Sequence, residues 1–225
     1  MSNVHLLTIW LNVMSIKELD LSSKEKILNA ARRVFIRNGS SGARMQEIAD
    51  EAGINKALLH YYFKNKEGLF ELVFNDAFSE FIPKIYSIFS GDGSVMEKIE
   101  RYVETHLDLL IKKPDLPMFV LNEMQREPER FFSGILSKMP GAPPFEFFLK
   151  QIEEEMKDGK IRTMNPRDLW MNVMSMTVFP FIGEPMLKKF LIINSEEYRI
   201  LLTKRKESIM IFIKQAVLLP TPNNA

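Results

Sequence analysis

Apolar positions recur along this chain at intervals of three and four, and no stretch keeps the period of two that a half-buried strand needs, so the pattern predicts an all-α protein. A first helix is expected from a cap at Ser22 or Ser23, with Ile27, Ala30, Ala31, Val34 and Phe35 on one face, until Asn38-Gly39 ends it. A second, about Met45 to Ala52, turns Met45, Ile48, Ala49 and Ala52 inward and stops at Gly53, whose freedom at positive φ suits a sharp turn. Asn55 is placed to cap a third helix, Lys56 to about Phe63, and Asn65 a fourth, Lys66 to about Ile82. Short helices on either side of a tight glycine turn are a helix-turn-helix layout.

Beyond Pro83 the helices lengthen. Val95, Ile99, Val103, Leu107 and Leu110 mark one that ends at Lys112-Lys113-Pro114, and Phe145 to Lys157 marks another, stopped by Asp158-Gly159. Asn165-Pro166 opens a helix through Trp170, Val173 and Met174 that Pro180 breaks or kinks. Ser195-Glu196 opens a last long helix to Leu218, with Ile200, Leu201, Ile209, Phe212, Ile213 and Ala216 as its apolar stripe. These breaks divide the chain into residues 1–21, an N-terminal extension or arm; 22–70, the helix-turn-helix domain; and 71–225, a larger helical domain.

Composition narrows the function classes. The 225 residues are 46% hydrophobic and 26% charged, which is ordinary for a globular protein. There is no cysteine, hence no disulfide framework and no cysteine nucleophile, which fits a cytoplasmic location. The three histidines, His5, His60 and His106, are too dispersed to suggest a metal centre, and no cofactor is implied. No phosphate-binding glycine loop, His-Glu-x-x-His or Gly-x-Ser-x-Gly occurs, so no enzyme is expected. The apolar run Leu6 to Met14 has no basic residue before it, no small-residue cleavage site after it and about half the length of a span, so neither export nor membrane insertion is expected. Met14 itself reads as a start, which would make residues 1–13 an upstream extension or an accessory arm. The net charge of +1 is unevenly distributed: Ser22 to Phe70 holds nine basic and five acidic residues, whereas the remainder holds 21 basic and 24 acidic. A basic head on a slightly acidic body suits contact with a polyanion.

The stretch from Lys24 to Phe74 resembles the DNA-binding domain of the TetR family of bacterial transcriptional regulators. The resemblance is carried by Ile27, Ala30, Ala31, Phe35, Gly39, Ile48, Ala49, Ala52, Gly53, Ile54, Leu59, His60, Tyr62, Phe63, Lys66 and Leu69. It implies a helix-turn-helix DNA-binding domain followed by a ligand-binding and dimerisation domain. In the recognition helix, residues near the N-terminus face base edges while flanking groups hold phosphates. Lys56 can meet guanine or phosphate, and Asn55 either reads adenine or caps the helix. Gln46 is a second base reader by resemblance, or a solvated glutamine. Tyr61, His60 and Lys66 are candidates for phosphate, Lys64 for solvent, and Leu58, Leu59 and Phe63 for the core. Arg44 departs from the family, which often has a small capping hydroxyl there; Ser41 or an Arg-phosphate contact must substitute.

By the same resemblance the protein is a homodimer paired through Pro166 to Phe179 and Ser195 to Leu218, a repressor that binds a palindromic double-stranded operator and responds to a small effector. Many Phe and Met residues in the second part suit an apolar or aromatic ligand, with His106, Phe119, Phe148 and Met174 as candidate contacts; the same residues also suit a packed core. A protein-interaction module that uses the helix-turn-helix for docking is the alternative.

Overall fold

Among the described residues, thirteen helices account for nearly all the regular structure, and the one strand-like feature is an isolated antiparallel bridge between Ile161 and Leu218. The computed structural model describes residues 3–219, with side chains from Ser23 to Leu219. The chain divides into two compact units, one through Asp76 and the other from Ala77.

In the first unit, α1 runs Asn3–Gly42. The expected start at Ser22 or Ser23 is overtaken: the helix continues through both, because no glycine or proline lies between Asn3 and Ser23 to stop it. The side chains of the 1–21 extension, and all of Met1 and Ser2, lie outside the described residues. At Gly39 the backbone leaves helical geometry (φ 71°, ψ 171°), which bends the chain towards α2, Met45–Ala52. Helices α3, Lys56–Tyr62, and α4, Lys66–Phe78, complete the unit. Ile27, Ala30, Ala31, Val34 and Phe35 are sealed from solvent with Ile48, Ala49, Leu59 and Leu69, and the Phe35 ring meets Phe70 edge-on at 5.4 Å. Met45 and Ala52, expected inside, are half-buried: an eight-residue helix on one partner face hides little more than Ile48 and Ala49.

Helix α4 stops at Phe78 rather than near Ile82. A helix continued through Pro83 would set the ring against the Ser79 carbonyl; a fresh start at α5, Phe81–Ser90, places Pro83 in a first turn, where its missing N–H costs nothing. The second unit then builds around α6, Val95–Lys112, whose Ser94 and Glu97 form a capping box and whose Ile99, Tyr102, Val103, Leu107 and Leu110 are buried. After α7, Leu116–Arg126, and α8, Pro128–Leu136, come α9, Phe145–Lys157, and α10, Pro166–Ile182. Helix α6 packs on α5, α9, α10 and the last helix.

Helix α10 outlives Pro180 by two residues. Proline removes the N–H that the Met176 carbonyl would accept, and the Arg205 guanidinium replaces it, donating from Nε and Nη2 at 3.2 Å each. After α11, Glu184–Leu191, the expected single C-terminal helix is two, α12, Ser195–Thr203, and α13, Arg205–Val217, interrupted at Lys204 beside that same arginine. The apolar stripe splits accordingly: Ile209 and Ile213 are buried, whereas Ile200, Leu201, Phe212 and Ala216 are exposed.

Candidate nucleic-acid interface

The turn between α2 and α3 is set by backbone geometry. Gly53 sits at φ 67°, ψ 33°, and its N–H reaches the Ala49 and Asp50 carbonyls that α2 leaves open. A Cβ at this position would meet nothing within 4 Å, so the left-handed conformation, not space, demands glycine. Asn55 opens α3, and its Oδ1 accepts the Leu58 N–H at 2.7 Å. Its side chain is therefore engaged in capping, the local one of its two expected roles.

Along α3, successive residues advance by about 100°. Leu59 is buried and Tyr62 half-buried, and these two define the rear of the helix. Lys56, Ala57, His60 and Tyr61 fall on the opposite arc and are all exposed, Tyr61 to 79%. The helix thus presents a cation, a methyl, an imidazole and a phenol on one open face. Ala57 was not among the expected contacts; its methyl has the size and polarity to meet a thymine methyl, and its position on the helical wheel was the available signal. The His60 Nδ1–H donates to the Lys64 carbonyl at 3.3 Å, leaving Nε2 outward. Tyr62 turns back towards α1, where the Lys24 ammonium lies 5.7 Å from its ring centroid. Phe63 is buried as expected, but Leu58, expected in the core, is 36% exposed because it lies at the edge of the rear face.

Charge is sorted between the back and the front of this unit. Arg33 Nε and Arg37 Nη2 each bond Glu51 at 2.7 Å, and Asn38 Nδ2 donates to both Glu47 oxygens at 2.8 and 2.7 Å, tying α1 to α2. Hydrogen bonds from Arg37 and then Arg33 hold the Glu51 carboxyl below the usual range. Arg44, Lys56 and Lys64 are exposed and have no ion pair among the described residues. Gln46 is exposed and donates to Asp50 Oδ1 at 2.8 Å. Arg44 occupies the N-cap of α2 without a capping bond, and Ser41 supplies none; Glu47 stands in that first turn instead, where its charge suits the helix dipole. Lys66 is half-buried, and its Nζ donates to the Ser41 carbonyl at 2.9 Å, so it fastens the start of α4 to the end of α1.

The sequence description "Bacterial regulatory proteins, tetR family" matches residues 27–73, the helices just described. Residues 27–73 thus carry the DNA-binding domain of the TetR family. Two curated TetR-family relatives of Bacillus subtilis (strain 168) are similar to it. The probable HTH-type transcriptional regulator YttP is 26% identical over 182 residues, covering 80% of this chain and 86% of that protein. The fatty acid metabolism regulator protein is 26% identical over 101 residues, covering 45% of this chain; the match spans about half of that relative's length, 52%. Among solved structures, the ketosteroid transcriptional regulator KstR2 of Mycobacterium tuberculosis shares the fold with a TM-score of 0.65 at 13% identity, covering 88% of this chain and 95% of that one. The chain is thus a helix-turn-helix protein of a family of transcriptional regulators. No helix among the described residues is long and apolar enough to cross a membrane.

In the second unit, three of the four candidate effector contacts, His106, Phe148 and Met174, lie around Tyr102. Phe119 and Phe148 are fully buried; Phe148 stacks 4.7 Å from Phe89 in an aromatic cluster with Tyr102, Phe145 and Trp170. His106 and Met174 are linked through Tyr102, whose hydroxyl lies 2.6 Å from His106 Nδ1 and donates to Met174 Sδ at 2.6 Å. Burial pushes the His106 imidazole down to about 4 and the Tyr102 phenol up, so both are neutral at pH 7. Neither of the two described cavities, about 380 and 340 Å³, is lined by any of the four.

Proposed function

We propose that this protein is a TetR-family repressor that binds a palindromic operator as a homodimer and releases it when a small apolar or aromatic effector binds. The observation that carries the DNA-binding reading is the open face of α3, with Lys56, Ala57, His60 and Tyr61 on the arc opposite Leu59. In this reading α3 enters the major groove. Lys56 meets guanine or phosphate and Tyr61 holds a phosphate through its hydroxyl. Arg44, at the uncapped start of α2, pairs with a phosphate bidentately, and Lys66 supports the corner from behind through Ser41. Asn55 sets the helix geometry rather than reading a base. Gln46 reads a base edge only after giving up Asp50.

Support for pairing comes from exposed large apolar side chains on the last helices: Met171 and Phe179 on α10, Ile200 and Leu201 on α12, Ile211 and Phe212 on α13. Helix α4 contains the division between the two units and is the continuous element along which an effector could bias the heads. The reading is tested by selecting bound genomic fragments and measuring their affinity by gel shift. Retained affinity in the Lys56→Ala and Tyr61→Phe variants would favour docking to a protein over reading of DNA. Repression is tested by deleting the gene, which should raise transcription from the selected promoters.

A further inference from the structure

A lysine is 6% exposed in the second unit, at the floor of a cavity of about 340 Å³. Lys98 closes the first turn of α6, and its Nζ donates to the Phe89 carbonyl at 3.2 Å and to Gln151 Oε1 at 2.8 Å. An ammonium has three N–H donors, so one remains for the cavity. Lys98 is the single charged residue in the cavity lining. Its counter-charges, Asp92 and Glu155, lie outside the lining, and Glu155, also buried, accepts from the Val95 N–H at 2.8 Å and from Gln151 Nε2 at 2.9 Å. Gln151, further anchored on the Gly93 carbonyl at 2.8 Å, thus stands between Lys98 and Glu155 and leaves the ammonium facing the opening. Burial lowers the Lys98 pKa, as it must when a cation is only partly compensated.

The rest of the wall is of a different character. Tyr86 is half-buried and lines the same cavity, and its hydroxyl has no hydrogen-bond partner among the described residues. Phe89 closes the inner wall, backed by the aromatic cluster, and Phe147 stands at the mouth, 69% exposed on α9. Gly141 approaches so closely that a Cβ there would stand 2.6 Å from the Tyr86 oxygen, which keeps the loop before α9 against the phenol.

We infer that this cavity binds a small aromatic carboxylic acid, with the carboxylate on the Lys98 ammonium and the Tyr86 hydroxyl and the ring between Phe89 and Phe147. A buried cation with an open donor recognises an anion, an unpartnered phenol adds a second donor, and the aromatic walls select an apolar body. The volume lies at the small end of the range for ligand sites, roughly 300–1,000 Å³. The inference rests on the effector reading only for its regulatory consequence; binding itself is independent of it.

The test is isothermal titration of the full chain with 4-phenylbutyrate and, in parallel, with its neutral amide. The acid is expected to bind and the amide to bind at least tenfold more weakly. Tyr86→Phe removes one hydroxyl and should weaken the acid several-fold; Phe147→Ala, at an exposed position, should weaken acid and amide alike; Lys98→Met should abolish the preference for the acid. Because Lys98→Met removes a buried group, helix content by circular dichroism is measured alongside, and the Tyr86 and Phe147 variants carry the test if it unfolds. Equal affinity for acid and amide, no binding of the acid at millimolar concentration, or unchanged binding in both Tyr86→Phe and Phe147→Ala would overturn the inference. Operator affinity is measured separately, so that loss of binding and loss of the effector reading give different results.

Discussion

At the scale of single residues the helix-turn-helix separates by the direction each side chain faces. Tyr61 and Tyr62 are neighbours in sequence with rings 5.3 Å apart, yet the first is open to solvent and the second turns towards Lys24. The roles of Leu59 and Phe63 were legible in sequence because burial follows helical spacing. That of Lys66 was not, since its bond to Ser41 joins residues 25 positions apart, and no local pattern reports such a contact. Under the DNA-binding reading, Tyr61→Phe should weaken operator affinity about fivefold, the worth of one hydrogen bond, without changing the melting temperature; fluorescence anisotropy with thermal melts checks both. In the second unit His106 makes stability depend on pH. Its pKa is about 4 when folded, against an ordinary value of 6.5, so the unfolded chain binds the proton first as pH falls. Stability should be complete above pH 6.5 and decline by about 3 kcal/mol towards pH 4. Denaturant titrations of wild type and His106→Gln at pH 7 and pH 5 should diverge, with the slope in this window absent from the variant.

Elements were legible where a local signal marks their ends. Asn55 and Asn165 each cap the helix that the sequence assigns to them, and Gly53 and Gly159 end theirs at positive φ. The start of α1 was missed because nothing local stops the helix at Ser22 or Ser23. Of the two expected effects of Pro180, a break is absent, because Arg205, 29 residues from Met176, supplies the missing donor. Gly53→Ala should therefore destabilise the first unit by about 1–2 kcal/mol through backbone strain alone, with no collision to relieve. Urea unfolding followed by circular dichroism measures this. Arg205→Met leaves the Met176 carbonyl without a donor and should cost about 1–3 kcal/mol, read in the same way.

For the whole molecule the sequence foretold an all-α chain with a basic head, and the described helices agree. It could not place an effector site: Phe119 and Phe148 look alike as apolar residues, and only the packed structure makes them core. The proposed dimer depends on exposed apolar groups that become useful only when paired, so Phe212→Glu should shift the protein towards monomer in sedimentation velocity and lower operator affinity with it. The central claim, that the α3 face and its free cations grip DNA, is tested most directly by the salt dependence of affinity for a selected operator in wild type and Lys56→Ala. Counterion release predicts that wild-type affinity falls about a thousandfold between 50 and 200 mM salt, and that each Lys56 removed lowers the slope of log affinity against log salt by about one. An affinity indifferent to salt, or the same slope and affinity in Lys56→Ala, would contradict it.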